Sequence, residues 1–137
     1  MRTINYIVLH CTATPQASKV QSILDYWKRV LGWSKPGYHI IIPANGVSQR
    51  LLPDEQVSNG VGGHNAHALH VSYVGGVDAQ NRPLDNRTPA QIAEQIRIVR
   101  RWLDQHPDAE VLGHRDFPGV KKACPSFDAR AWWAGVK

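Results

Sequence analysis

The stretch "INYIVLHCTATP", residues 4–15, decides the fold. Tyr6 to Leu9 are aromatic, β-branched or aliphatic, and the run is too short for a helix, so it reads as a buried strand that enters a loop at "TATP". His10 stands at the end of that strand. Outward from it, Val20, Ile23, Leu24, Trp27, Val30 and Leu31 recur at helical spacing between Ser18 and Trp33, with Gly32 ending the element. "YHIIIPANGVSQRL", residues 38–51, reads as a hairpin: a strand from Tyr38, an Asn45-Gly46 turn and a second strand.

The segment 58–70, "SNGVGGHNAHALH", is rich in turn residues and holds three histidines, so a mobile surface loop is expected, followed by a strand at "VSYVGGV". In "NRTPAQ", Thr88 is placed to cap a helix with Pro89 at its first position and Gln91 completing a capping box; Ile92, Ile96, Val99 and Leu103 follow on one face. "AEVLG" is a short strand leading into His114, and Ser126 with Asp128 starts a last helix carrying Trp132 and Trp133. These elements predict an α/β fold, a single domain over residues 1–137 with a central mixed β-sheet flanked by helices.

Composition agrees with that size. The 137 residues are 42% hydrophobic and 20% charged, enough for one domain to bury a core without metal or disulfide support. The first residues lack the apolar region of a signal peptide, and no stretch approaches the roughly 20 apolar residues of a membrane span. Synthesis in the cytoplasm is therefore expected, with both cysteines reduced and no membrane insertion. The net charge of +5 comes from scattered Lys and Arg, and "RIVRR" lies on an amphipathic helix. That pattern offers no specific nucleic-acid site, while mild positive charge favours approach to anionic cell-surface polymers.

Reactive chemistry gathers in "HRDFPGVKKACPSFD", residues 114–128. Three readings compete there: a disulfide partner, a metal ligand set, or a basic loop with a buried thiol. His10 and His114 each end a strand, and neighbouring strands can bring such ends together. With Cys124 they would form a His-His-Cys set suited to zinc, leaving a fourth position for water. Cys11 should point to the opposite side of its strand from His10 and behave as a small buried hydrophobe. Spacing alone leaves the three readings open.

"IVLHCTAT", "GYHIII", "VGGV", "TPAQ" and "KACPSFD", in this order, resemble the zinc-dependent type 2 N-acetylmuramoyl-L-alanine amidases, whose fold is shared by the peptidoglycan-recognition proteins. The resemblance runs from about Tyr6 to Trp133. It implies that His10, His114 and Cys124 bind Zn2+ and that Tyr38 and Lys122 are catalytic. His64 and Asn65 are placed against substrate. His39 reads as structural, His67 and His70 as exposed loop histidines, and Asp116 as an acceptor for a ligand imidazole or as a turn residue. The implied reaction is hydrolysis of the lactyl-L-Ala amide of peptidoglycan by a monomeric phage or prophage endolysin that reaches the wall with the help of a separate membrane-permeabilising protein. A non-catalytic peptidoglycan-binding module or a phage regulatory protein of the same fold is the alternative, and the intact ligand set favours the enzyme.

The chain departs from the family pattern in two places. Relatives read Asn-x-x-Ser-Ile-Gly before the central strand, whereas "NAHALH" puts Ala68 and His70 at the Ser and Gly positions. The loop from His114 to Lys122 is two residues longer than in the phage-type pattern.

Overall fold

The structure, a computed structural model, describes residues 2–136. Strand β1 (Tyr6–Cys11) lies between β4 (Ala68–Tyr73) and β5 (Glu110–Gly113), parallel to both. Beyond β4, β2 (Ile40–Ile42) runs parallel to it and β3 (Gln49–Arg50) pairs antiparallel to β2, giving the sheet order β3-β2-β4-β1-β5. The expected mixed sheet is thus present.

A parallel sheet is covered on both faces, and β1 and β4 are accordingly buried almost throughout. On one face Ile7, Leu9, Leu69 and Val71 pack against helix α2 (Pro89–Gln105) through Ile98, Val99 and Trp102, and against α3 (Ala129–Val136) through Trp133. On the other, Ile41 meets helix α1 (Val20–Arg29) through Ile23 and Trp27, while Val8, Ala68 and Leu112 meet Val61 and Phe117 from two loops. Alternation along β1 and β4 puts His10, His70 and Ser72 on this second face.

Helix α2 begins as its sequence dictates: the Thr88 hydroxyl accepts from the Gln91 N–H, and Gln91 Oε1 accepts from the Thr88 N–H. Its buried stripe is Gln91, Gln95, Ile98, Val99 and Trp102, rotated from the all-aliphatic face expected from Ile92, Ile96, Val99 and Leu103, of which Val99 is buried and the others only partly. Gln91 is accepted in the core because its Nε2 donates to the carbonyls of Ile42 and Val74, joining two strand ends. Helix α1 is shorter than expected. Val30 and Leu31, read as part of its apolar face, lie beyond its end and are exposed, and Gly32 turns the chain with φ +68°. The hairpin turn is where expected. Gly46 adopts φ +79°, and a Cβ there would also meet Ala90 Cβ at 2.7 Å.

The larger correction concerns residues 68–70. They are the start of β4, not the end of a surface loop, and His70 is fully buried. Glycines and histidines upstream suggested exposure, but the pairing of Ala68, Leu69 and His70 with Tyr6, Ile7 and Val8 draws this segment into the sheet.

Candidate active site

His10 is the penultimate residue of the central strand, one before Cys11. Because Leu9 stands opposite Gly113, the residues that follow, His10 on β1 and His114 just past the end of β5, emerge side by side at the carboxyl edge of the sheet, their ring centroids 4.9 Å apart. Carboxyl edges of parallel strands are open positions where side chains from different strands converge.

Cys124 reaches the same place through the 114–124 loop. Phe117 anchors that loop in the apolar cluster with Val8 and Leu112, and Gly119 reverses the chain at φ +81°, where the Val120 N–H donates to the Phe117 carbonyl at 3.2 Å. The Arg115 N–H donates to the Cys124 carbonyl at 2.9 Å, and the Tyr73 hydroxyl holds the Pro125 carbonyl at 2.7 Å. Asp116 serves the turn: its Oδ2 accepts from the Gly113 N–H at 2.8 Å. The Cys124 thiol lies 3.7 Å from His10 Nδ1 and accepts from the Cys11 N–H at 3.2 Å.

One donor atom each from His10, His114 and Cys124 falls within 4.8 Å of the others, so the three could hold a metal ion. Burial, reinforced by the neighbouring His70, His114 and Lys122, pulls the His10 pKa well below the usual histidine value. Burial and the Lys122 charge lower that of His114 to about 4. Both rings are therefore neutral at ordinary pH, the state in which an imidazole can ligate. Burial pushes the Cys124 thiol up and the neighbouring Cys11 thiol adds to the effect, while the hydrogen bond from the Cys11 N–H works against it. Both cysteines are free, and Cys11 is buried beside Tyr73 and Cys124.

The three residues sit in a cleft of about 500 Å³ that Tyr38 and Lys122 also line, together with Trp27, Trp33 and Asn59. The Tyr38 ring packs against the edge of Trp27 at 5.1 Å and beside His10 at 4.9 Å, and its hydroxyl donates to the Cys11 carbonyl at 3.3 Å. Desolvation, and secondarily the Cys124 charge, raises the Tyr38 pKa far above the working range, so the phenol stays protonated and acts as a donor.

His64 and Asn65 do not line this cleft themselves but follow Gly60 and Gly62, which do. His64 packs on Phe117 and Tyr6, and the Asn65 side chain accepts the Val61 N–H at 2.7 Å, closing its own loop. His67 is exposed, with Nδ1 3.0 Å from the Thr3 carbonyl. His39 is buried and structural: its Nδ1 accepts from the His70 N–H and its Nε2 donates to the Gln56 carbonyl at 2.8 Å. Sequence reasoning missed His70, whose Nδ1 lies 2.8 Å from His10 Nε2. The alternation in "ALHVSY", continued one turn of the pleat upstream, was the available signal.

Residues 1–127 match the family model described as N-acetylmuramoyl-L-alanine amidase. Among curated proteins, the chain is 34% identical over 128 residues to an endolysin of Klebsiella phage KP32, covering 93% of this chain and 83% of that one. It is 31% identical over 128 residues to the endolysin of Escherichia phage T7, covering 93% and 83%. Among solved structures, the endolysin of the Thermus scotoductus bacteriophage Ph2119 superposes with a TM-score of 0.81 at 23% identity, over 98% of this chain and 85% of that one. Drosophila PGRP-LB gives 0.76 at 14%, over 98% and 81%, a likeness of fold. With a sheet that brings His10, His114 and Cys124 to one edge and a family match over nearly its whole length, the chain belongs to the type 2 N-acetylmuramoyl-L-alanine amidases.

Proposed function

We propose that this amidase is a phage or prophage endolysin that hydrolyses the amide between the lactyl group of N-acetylmuramic acid and L-alanine in peptidoglycan, using zinc held by His10, His114 and Cys124. The observation that carries the reading is the convergence of those three donors in one cleft with Tyr38 and Lys122. The donor set fits zinc: two neutral imidazoles and a cysteine that would give up its proton to bind as thiolate suit a borderline-soft ion, and among the described residues no carboxylate joins the group as calcium or magnesium would require. Three protein donors also leave a position open, the pattern of catalytic and not structural sites.

Bound there, zinc supplies polarisation of the amide carbonyl and lowers the pKa of water from ~15.7 to ~7. The rest falls to the chain. An amide under attack develops negative charge on its carbonyl oxygen, and in this reading the Lys122 ammonium, which lines the cleft, neutralises it. Tyr38, held protonated, donates a second hydrogen bond to that oxygen or to the attacking water. Trp27 and Trp33 form an apolar wall that displaces water from the substrate's flank.

The enzyme works as a monomeric single domain, made in the cytoplasm and acting on the wall once a separate membrane-permeabilising protein admits it. Among the described residues no helix is long and apolar enough to cross a membrane. Mass spectrometry of digested sacculi tests the reaction. New lactyl ends and L-Ala amino termini are expected, abolished by a chelator, restored by zinc and absent with Cys124→Ser. Cleavage at a glycosidic or crossbridge bond instead, or full activity in the variant, would overturn the reading.

A further inference from the structure

His70 is the buried group for which the fold and the proposed reaction have so far given no use. It sits on β4 two residues before Ser72, which stands opposite His10, so its side chain shares the cleft-side face of the sheet with His10. Its ring is packed parallel to that of His39, with centroids 5.9 Å apart and an interplanar angle of 2°. The His39 tautomer is fixed by its surroundings. Its Nδ1 accepts the His70 N–H at 3.1 Å, so the ring proton lies on Nε2 and goes to the Gln56 carbonyl. From the other side the His70 ring lies against Gly60, where a Cβ would collide with it, the ring Cγ being 2.6 Å away. His70 therefore occupies a slot made by the absence of a side chain at residue 60.

That slot aims one nitrogen. His70 Nδ1 lies 2.8 Å from His10 Nε2, while the other nitrogen of His10, Nδ1, faces the Cys124 sulfur. Among the described residues His70 Nε2 has no hydrogen-bond partner although it is buried. A leucine would fill the same space without an unpaired polar atom, so packing does not account for an imidazole here.

We propose that His70 is a positioning residue for the metal ligand His10, accepting the Nε2–H of that ring and so holding its Nδ1 lone pair toward the metal. A ligating histidine needs its second nitrogen bonded to keep tautomer and orientation, and loss of such a partner typically weakens metal binding roughly ten- to a hundredfold. Backbone carbonyls and carboxylates usually play this part; here a neutral imidazole does, at the position where the family pattern has glycine. The inference rests on the zinc reading above, and it predicts a feature specific to this chain.

Zinc affinity, measured by competition with a chromophoric chelator, separates the two readings. Asn places Oδ1 where His70 carries Nδ1 and can accept the same proton, whereas Leu cannot. His70→Asn is expected to bind zinc within a few times of the unaltered chain, and His70→Leu roughly ten- to a hundredfold more weakly, with far-UV circular dichroism unchanged in both. Long-range 1H–15N spectra of the zinc-loaded chain should show His10 as the Nε2–H tautomer in the unaltered and Asn forms. Equal affinity in the unaltered chain and both variants, or equal loss in both variants, would overturn the role of His70 while leaving the zinc site standing. No zinc uptake by the unaltered chain, or uptake that survives Cys124→Ser, would overturn both.

Discussion

Single side chains divide the labour of the cleft by their protonation and reach. His10 and His114 are kept neutral by burial, with the positive charge of Lys122 reinforcing it. Tyr38 differs from them in needing its proton. Its hydroxyl donates to the Cys11 carbonyl at 3.3 Å, and that single hydrogen has to turn from the carbonyl to the substrate for the proposed role. Tyr38→Phe keeps the ring between Trp27 and His10 and removes only the donor. A fall in kcat of about 10²-fold with unchanged zinc affinity is expected, since one donor to a developing oxyanion is typically worth ~3 kcal/mol. Steady-state turnover on a soluble muropeptide, beside a zinc titration, measures both. Full turnover would remove Tyr38 from the chemistry.

Elements set where these side chains begin. The carboxyl ends of β1 and β5 supply His10 and His114, and their relative height follows from the Leu9–Gly113 register, because a slip of one residue would turn His10 to the opposite face. Helix α2 supports this from behind. Its start is fixed twice by Thr88, whose hydroxyl accepts the Gln91 N–H and donates to the Ala44 carbonyl at 2.7 Å. Thr88→Ala removes both bonds and is expected to cost about 1 kcal/mol or somewhat more, read from the urea midpoint at unchanged slope. Loss of amidase activity at temperatures where the variant is fully folded is not expected, as α2 lies on the face away from the cleft.

The molecule as a whole carries several histidines buried without charge, and this makes it acid-sensitive. Burial holds the His39 pKa at about 4, although the Gln56 hydrogen bond pulls the other way. The unfolded chain takes up that proton near pH 6.5, so between these values it binds more protons than the folded one, and stability rises with pH. The contribution is complete above about pH 6.5 and is lost as pH falls to about 4. His39 alone accounts for about 3 kcal/mol over the whole window, and roughly 2 kcal/mol of it is gone by pH 5. Urea unfolding at pH 7.5 and pH 5, with a chelator present to exclude metal, should show at least that difference. A flat profile would mean that His39 is not buried neutral.

Local sequence was enough for the existence of the strands, though not the start of β4, and for the capped helix and the order of motifs, because periodicity, turn residues and the Thr88 cap need no distant partner. It also pointed to His10, His114 and Cys124, through their placement at strand ends and on a loop together with the family pattern. Other features depended on distant contacts. The true face of α2 was decided by Gln91 finding two strand carbonyls, and the end of α1 by packing that stops at Trp27. The burial of His70 was decided by parallel pairing with β1 and by empty space at Gly60. A histidine near glycines looks exposed until the neighbouring strand is in place, since what makes it part of a site is a hydrogen bond across 60 residues of chain.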